Sequence, residues 1–90
     1  MATPALMNTY GTRAATLVKG EGAWLWDDKG KKYHDALSGI AVCGLGHSHP
    51  SVAKAVAEQA SVLTHCSNFF DIPNQEELAE NLCAASGMAK

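Results

Sequence analysis

The chain has 90 residues, 47% of them hydrophobic and 18% charged, with a formal net charge of −2. That composition fits one small globular domain rather than a disordered or fibrous chain, and its slight acidity offers no basic field to nucleic acid. No apolar run approaches the roughly 20 residues that cross a bilayer, and "MATPALMNTYGTR" has no charged stretch followed by an apolar block, so neither a signal peptide nor a membrane partner is expected. The cysteines, Cys43, Cys66 and Cys83, are odd in number and cannot all pair within one chain. Without a secretory signal they read as reduced thiols, and the expected compartment is the cytoplasm.

Residues 1 to about 15 read as an irregular arm, small and polar, with Pro4 and Gly11 and no period. "KGEGAWLWDDKGKKYHDAL" reads as a two-stranded hairpin. Trp24 and Trp26 alternate with Ala23 and Leu25, the period of a half-buried strand. "DDKG" turns the chain, with Gly30 free to take the left-handed conformation that closes a type I turn plus bulge. Lys31 to Leu37 returns as the second strand, with Tyr33, Asp35 and Leu37 on one face.

"SGIAVCGLGHSHP", Ser38 to Pro50, follows and is too rich in glycine for a regular element. Pro50 suits the first position of a helix. "PSVAKAVAEQASVL" carries Val52, Val56, Ala60 and Leu63 at helical spacing, with alanines that allow close packing. "THCSNFFDIPN" is a second irregular link. Asn74 and Glu77 have the spacing of a capping box, and the second helix puts Leu78, Leu82 and Ala85 on one face before Gly87 stops it. The fold class is therefore α/β, or α+β for a piece of this size. A hairpin with two helices is a weak basis for an independent fold, so a fragment or an obligate assembly is expected.

The glycine-rich loop raises three chemistries. His47, His49, His65, Cys43 and Cys66 are metal-ligand types, but their spacing matches no common structural zinc pattern and no C-x-x-C pair is present, so no metal is expected. The simpler role for His47 and His49 is to cap the helix and bond the loop backbone. Cys43 or Cys66 beside a histidine could act as a thiolate, but free cysteine is as readily a buried apolar residue. "GLGHSHP" lacks the third glycine of G-x-G-x-x-G and no G-K-[ST] follows, so a phosphate loop is not supported. Glycines at 39, 44 and 46 mean backbone close to something else, substrate or another segment.

"GEGAWLWDDKGKKYHDALSGIAVCGLGHSHPSVAKAVAEQA", followed by "LTHCSNFF", resembles the N-terminal portion of class III pyridoxal-phosphate aminotransferases. The family run of glycines, an aromatic, an aspartate, a glycine, an aromatic and a second aspartate is held by Gly20, Gly22, Trp26, Asp27, Gly30, Tyr33 and Asp35. The G-I-A-V stretch ending in G-H-x-H-P is held by Gly39, Ile40, Ala41, Val42, Gly46, His47, His49 and Pro50. The likeness covers the chain from about Tyr10 to Gly87. "GIAV" and "HCSN" favour the branch that acts on N2-acetyl-L-ornithine over ornithine or 4-aminobutyrate transaminases.

The resemblance implies an N-terminal hairpin plus two helices of a fold-type I transferase, usually a homodimer. Residues 1–49 would form arm, hairpin and glycine loop, and 50–90 two helices leading into a cofactor domain. It implies amino transfer between N2-acetyl-L-ornithine, or N-succinyl-LL-diaminopimelate, and 2-oxoglutarate, in arginine and lysine biosynthesis. Pyridoxal phosphate serves as electron sink, with a lysine forming its Schiff base. The family's phosphate loop and its Schiff-base lysine are expected beyond Lys90, since Lys19, Lys29, Lys31, Lys32, Lys54 and Lys90 match neither. No catalytic or cofactor-binding residue is thus expected in this segment, which alone would neither hold the cofactor tightly nor transaminate. The resemblance places Tyr10, Ser38, Gly39 and Ile40 beside substrate, and Ser67, Asn68 and Phe69 near the dimer interface. The rival readings are a non-catalytic remnant that docks on a partner, and a small metal-binding domain.

Overall fold

Alternating side chains at Trp24, Leu25, Trp26 and Asp27 do make a strand, but it is the middle strand of three. The computed structural model describes residues 5–90, and its sheet is antiparallel in the order β1 (Leu17–Glu21), β2 (Trp24–Asp27), β3 (Lys32–His34). The two-stranded expectation is corrected because Gly22, at φ 57, reverses the chain within two residues, so that Glu21 pairs with Trp24 and Gly20 with Leu25. A bulge leaves Val18 as the extra residue between Leu17 and Lys19. Residues 1–4 of the expected arm lie outside the described residues, and the part from Ala5 to Ala15 has no regular element.

Cross-strand pairing sets the chemistry of the two faces. Lys19, Trp26 and Lys32 are partners across the sheet, and their ammonium groups sit 4.6 Å and 5.4 Å from the Trp26 ring centroid. Lys32 also lies 4.2 Å from Trp24, which meets His34 edge-on at 5.0 Å. Leu25, Asp27 and Tyr33 project to the other face.

The "DDKG" turn forms as its residues imply. Gly30 N–H donates to the Asp27 carbonyl, Asp27 N–H donates to the Lys31 carbonyl, and Gly30 is left-handed at φ 82. Asp27 is the one buried residue among those described. Its carboxylate accepts from Lys29 N–H, Lys31 N–H and the Tyr33 hydroxyl, at 3.0, 2.8 and 2.9 Å. These donors, Lys31 N–H foremost, hold the Asp27 carboxyl below its ordinary range, and the same bond raises the Tyr33 hydroxyl.

Strand β3 ends at His34 instead of reaching Leu37. Asp35 N–H still donates to the Ala23 carbonyl at 2.8 Å, but its side chain turns forward onto the next segment. Leu37 is exposed there and does not continue a strand face. Beyond it, a single turn, α1 (Ser38–Ala41), occupies what the sequence suggests is a loop without a regular element.

Two longer helices follow. α2 (Pro50–Val62) starts at Pro50 as expected, and the Gln59 side chain donates to the Leu63 carbonyl past its end. α3 (Pro73–Ser86) begins one residue before the expected cap. The residue before a proline is driven to extended backbone, and Ile72 takes φ −126, ψ 120, so Pro73 opens the helix and Asn74 already lies inside it. The Asn74 amide donates to Gln59 Oε1 at 3.2 Å and caps nothing, which corrects the capping box expected from Asn74 and Glu77. Gly87 ends α3 in the left-handed conformation, its N–H donating to the Cys83 carbonyl.

The chain divides into two units, Met1–Ala57 with the sheet and glycine loop, and Glu58–Lys90 with the end of α2 and with α3. No described hydrophobic side chain is buried. Val52 and Val56 on α2, and Leu78 and Leu82 on α3, stay open to solvent.

Candidate functional site

Asp35 begins the site. One carboxylate oxygen, Oδ1, accepts from the backbone N–H groups of Leu37 and Ser38, both at 2.9 Å. An aspartate bonding the backbone two residues ahead starts a turn. The turn that follows is left-handed: Ser38, Gly39, Ile40 and Ala41 take φ of 56, 63, 64 and 61. Outside glycine this conformation costs about 1–2 kcal/mol per residue and normally occurs singly. For a β-branched residue such as Ile40 it is a true outlier. Leu37 before it and Val42 after it are right-handed, at φ −100 and −91.

Hydrogen bonds within the segment close the turn. Ile40 and Ala41 N–H donate to the Leu37 carbonyl, and Val42 and Cys43 N–H to that of Ser38, at 2.8–3.1 Å. The result displays apolar side chains: Ile40 is 80% exposed and Val42 79%.

The other carboxylate oxygen of Asp35 meets His47 Nε2 at 2.5 Å. With Ser38 N–H foremost, then His47 and Leu37 N–H, these partners pull the Asp35 carboxyl down to about 2. His47 is itself fastened to the sheet. Its N–H and carbonyl exchange bonds with Gly22 at 2.8 and 3.0 Å, and Ser48 Oγ donates to the Gly20 carbonyl at 2.8 Å. Two glycines make this approach possible. A Cβ on Gly20 would stand 2.6 Å from His47 Cβ, and one on Gly46 would stand 2.8 Å from the Gly22 carbonyl oxygen.

Of the two histidines expected to cap the helix and bond the loop backbone, His49 makes the cap, its Nδ1 accepting from Ser51 N–H at 3.2 Å, while the His47 side chain pairs with Asp35 and its backbone bonds Gly22. The pairing of Asp35 with His47 is not legible from either residue alone. The available signal is Gly20 and Gly22, two glycines with one residue between them at the end of a strand, which mark a close backbone approach.

Of the residues the resemblance puts at a site, Ser38, Gly39 and Ile40 are together in the left-handed turn. Tyr10 is exposed, with the Arg13 guanidinium 5.9 Å from its ring. Ser67, Asn68 and Phe69 lie in the second unit, where Ser67 is left-handed at φ 72 and its Oγ accepts from Phe69 N–H. Phe69 is 92% exposed. Cys43, Cys66 and Cys83 are free thiols, and among the described residues no group of three or more metal-ligand side chains comes together.

A family model described as Aminotransferase class-III matches residues 7–90. This chain belongs to that family. It is 58% identical over 85 residues to the acetylornithine aminotransferase of Nitrosomonas europaea, a match covering 94% of this chain and 22% of that protein. Among solved structures, N-acetylornithine aminotransferase from Stenotrophomonas maltophilia superposes with a TM-score of 0.83 at 43% identity, covering 92% of this chain and 23% of that one. The ornithine aminotransferase of Toxoplasma gondii, a structure described as having partial occupancy of PLP at the active site, superposes at 0.84 with 29% identity, over 92% of this chain and 19% of that one. The chain thus spans about a fifth of the length of the relatives it matches. Its hairpin and helices are part of the aminotransferase α/β fold, and it is by family a transferase.

Lys19, Lys31 and Lys32 lie over aromatic rings of the small sheet, and the Asp27 carboxylate accepts from three donors, so these four residues are engaged with the chain itself rather than arranged around a cofactor.

Proposed function

We propose that this chain forms the substrate-facing wall of an aminotransferase that exchanges an amino group between N2-acetyl-L-ornithine and 2-oxoglutarate, a step of arginine biosynthesis. N-succinyl-LL-diaminopimelate is the second acyl substrate this reading admits. The single observation that carries it is the 58% identity to an acetylornithine aminotransferase over nearly the whole chain. The exposed Ile40 supports it. An uncharged acylated end suits an isoleucine, whereas an ammonium left unpaired beside it loses hydration without compensation.

In this reading Tyr10, Ser38, Gly39 and Ile40 line the distal part of the substrate site. Ser67, Asn68 and Phe69 lie near the interface of a cytoplasmic homodimer. The division into 1–49 and 50–90 is that of wall and lead-in helices. Pyridoxal phosphate is held by parts of the enzyme outside these residues.

The experiment is a graft. Residues 7–90 replace the matching residues of the Nitrosomonas europaea enzyme, and kcat/KM is measured for N2-acetyl-L-ornithine, L-ornithine and 4-aminobutyrate with 2-oxoglutarate. The acetylated amine is expected to lead by at least about tenfold, the usual reach of one unfavourably buried polar group. A lead for either free amine overturns the reading.

A further inference from the structure

We infer that Asp35 is a positioning residue for substrate discrimination: clasped through His47 to the Gly20–Gly22 end of β1, it anchors the start of the left-handed turn Ser38–Ala41 and so fixes where the Ile40 side chain stands. The inference rests on the reading above that this turn faces substrate.

The argument starts from conformational cost. Ser38, Ile40 and Ala41 are three non-glycine residues in the left-handed region, and such residues persist only where their surroundings over-determine them. The bonds inside the turn, from Ile40, Ala41, Val42 and Cys43 N–H, are of the kind a right-handed turn makes equally well, so they do not select the hand. What anchors the start of the turn is the pair of bonds that the Leu37 and Ser38 N–H groups donate to Asp35 Oδ1. They set the direction of the backbone where the hand changes, between Leu37 at φ −100 and Ser38 at φ 56.

Asp35 could not do this if its carboxylate were free to rotate. Its second oxygen is held by His47, and His47 is held by two backbone bonds to Gly22 and by close packing on Gly20. The chain from sheet to Ile40 is thus continuous: Gly20 and Gly22 admit His47, His47 fixes Asp35, and Asp35 fixes the turn. Without Asp35 the start of the turn is released, and the Ile40 side chain leaves its present position.

The test uses the grafted enzyme and one quantity, the ratio of kcat/KM for N2-acetyl-L-ornithine to that for L-ornithine. Asp35→Ala is expected to lower this ratio by about tenfold or more, as a misplaced specificity contact does. Asp35→Asn, whose amide oxygen accepts from the same two N–H groups but which loses the carboxylate facing His47, is expected to lower it less than Asp35→Ala does. Ile40→Ala lowers the ratio, and the double variant Asp35→Ala/Ile40→Ala lowers it no further than the more severe single change, since both remove one contact. A merely structural aspartate would lower both substrates equally, so an unchanged ratio in Asp35→Ala overturns the inference, as do additive effects in the double variant. If Asp35→Ala does not fold, His47→Ala takes its place, with a lowered ratio expected and an unchanged one contradicting the inference. An unchanged ratio in Ile40→Ala sinks the substrate-facing reading itself, whereas a response to Ile40→Ala without one to Asp35→Ala sinks the positioning role alone.

Discussion

The carboxylate of Asp35 and the imidazole of His47 meet at 2.5 Å across twelve residues of chain, and everything between them is the glycine-rich segment that this contact closes into a loop. One side of the contact is anchored on β1, the other starts a left-handed turn. A small sheet with no buried apolar side chain can thus still hold a short segment in a costly conformation.

The Ser38 N–H, His47 and the Leu37 N–H pull the Asp35 carboxyl from its ordinary 3.8 down to about 2. A depressed carboxyl contributes stability that is complete above the ordinary value and is lost as pH falls through the lowered one. The stability advantage of the wild-type grafted enzyme over Asp35→Asn is therefore expected to hold above pH about 4 and to be lost as pH falls through about 2. Acid titrations followed by tryptophan fluorescence measure it, and an advantage independent of pH across that window would contradict the contact.

Gly20→Ala places a methyl carbon 2.6 Å from His47 Cβ, against backbone-anchored neighbours. Overpacking of this kind costs about 1–3 kcal/mol. Gly44→Ala meets nothing within 4 Å and should stay within about 0.5 kcal/mol, as a change on an open surface does. Thermal unfolding of the two variants in the grafted enzyme distinguishes a glycine needed for close approach from one that is not.

The two ends of α3 make opposite predictions. Gly87 is left-handed at φ 75, so Gly87→Ala should cost about 1 kcal/mol. Asn74 lies inside the helix and its amide bonds Gln59 on an exposed surface, so Asn74→Ala should cost less than about 0.5 kcal/mol, where loss of a true N-cap costs about 1. Denaturant unfolding of each variant checks both numbers.

In the proposed function pyridoxal phosphate is held outside these residues. Incubated with this chain alone it should therefore elute with small molecules on gel filtration, and stoichiometric co-elution with the chain would contradict that reading.

How much of this was legible in the sequence depends on the range of the interaction. The "DDKG" turn, the start of α2 at Pro50 and the stop at Gly87 are local, set by φ preferences of single residues, and they read directly. β1 did not read, because its alternation is interrupted by Gly20 and by the bulge at Val18, and its pairing depends on a two-residue reversal at Gly22. The N-terminus of α3 was misread because two signals competed. Proline at 73 and extended backbone at Ile72 overrode the capping spacing of Asn74 and Glu77. The left-handed turn could not be read at all, since Ser38, Ile40 and Ala41 individually disfavour it. Its anchor, Asp35 held between His47 and the Leu37 and Ser38 N–H groups, requires the sheet. The family, by contrast, was legible from ordered motifs without any of this geometry.

The most direct test of the account is Ile40→Tyr in the grafted enzyme, read as the ratio of kcat/KM for N2-acetyl-L-ornithine to that for L-ornithine. A polar aromatic on the left-handed turn gives the free ammonium a partner and crowds the acyl group, so the ratio is predicted to fall by about tenfold or more. A ratio that does not move would show that the Ser38–Ala41 turn does not face the substrate.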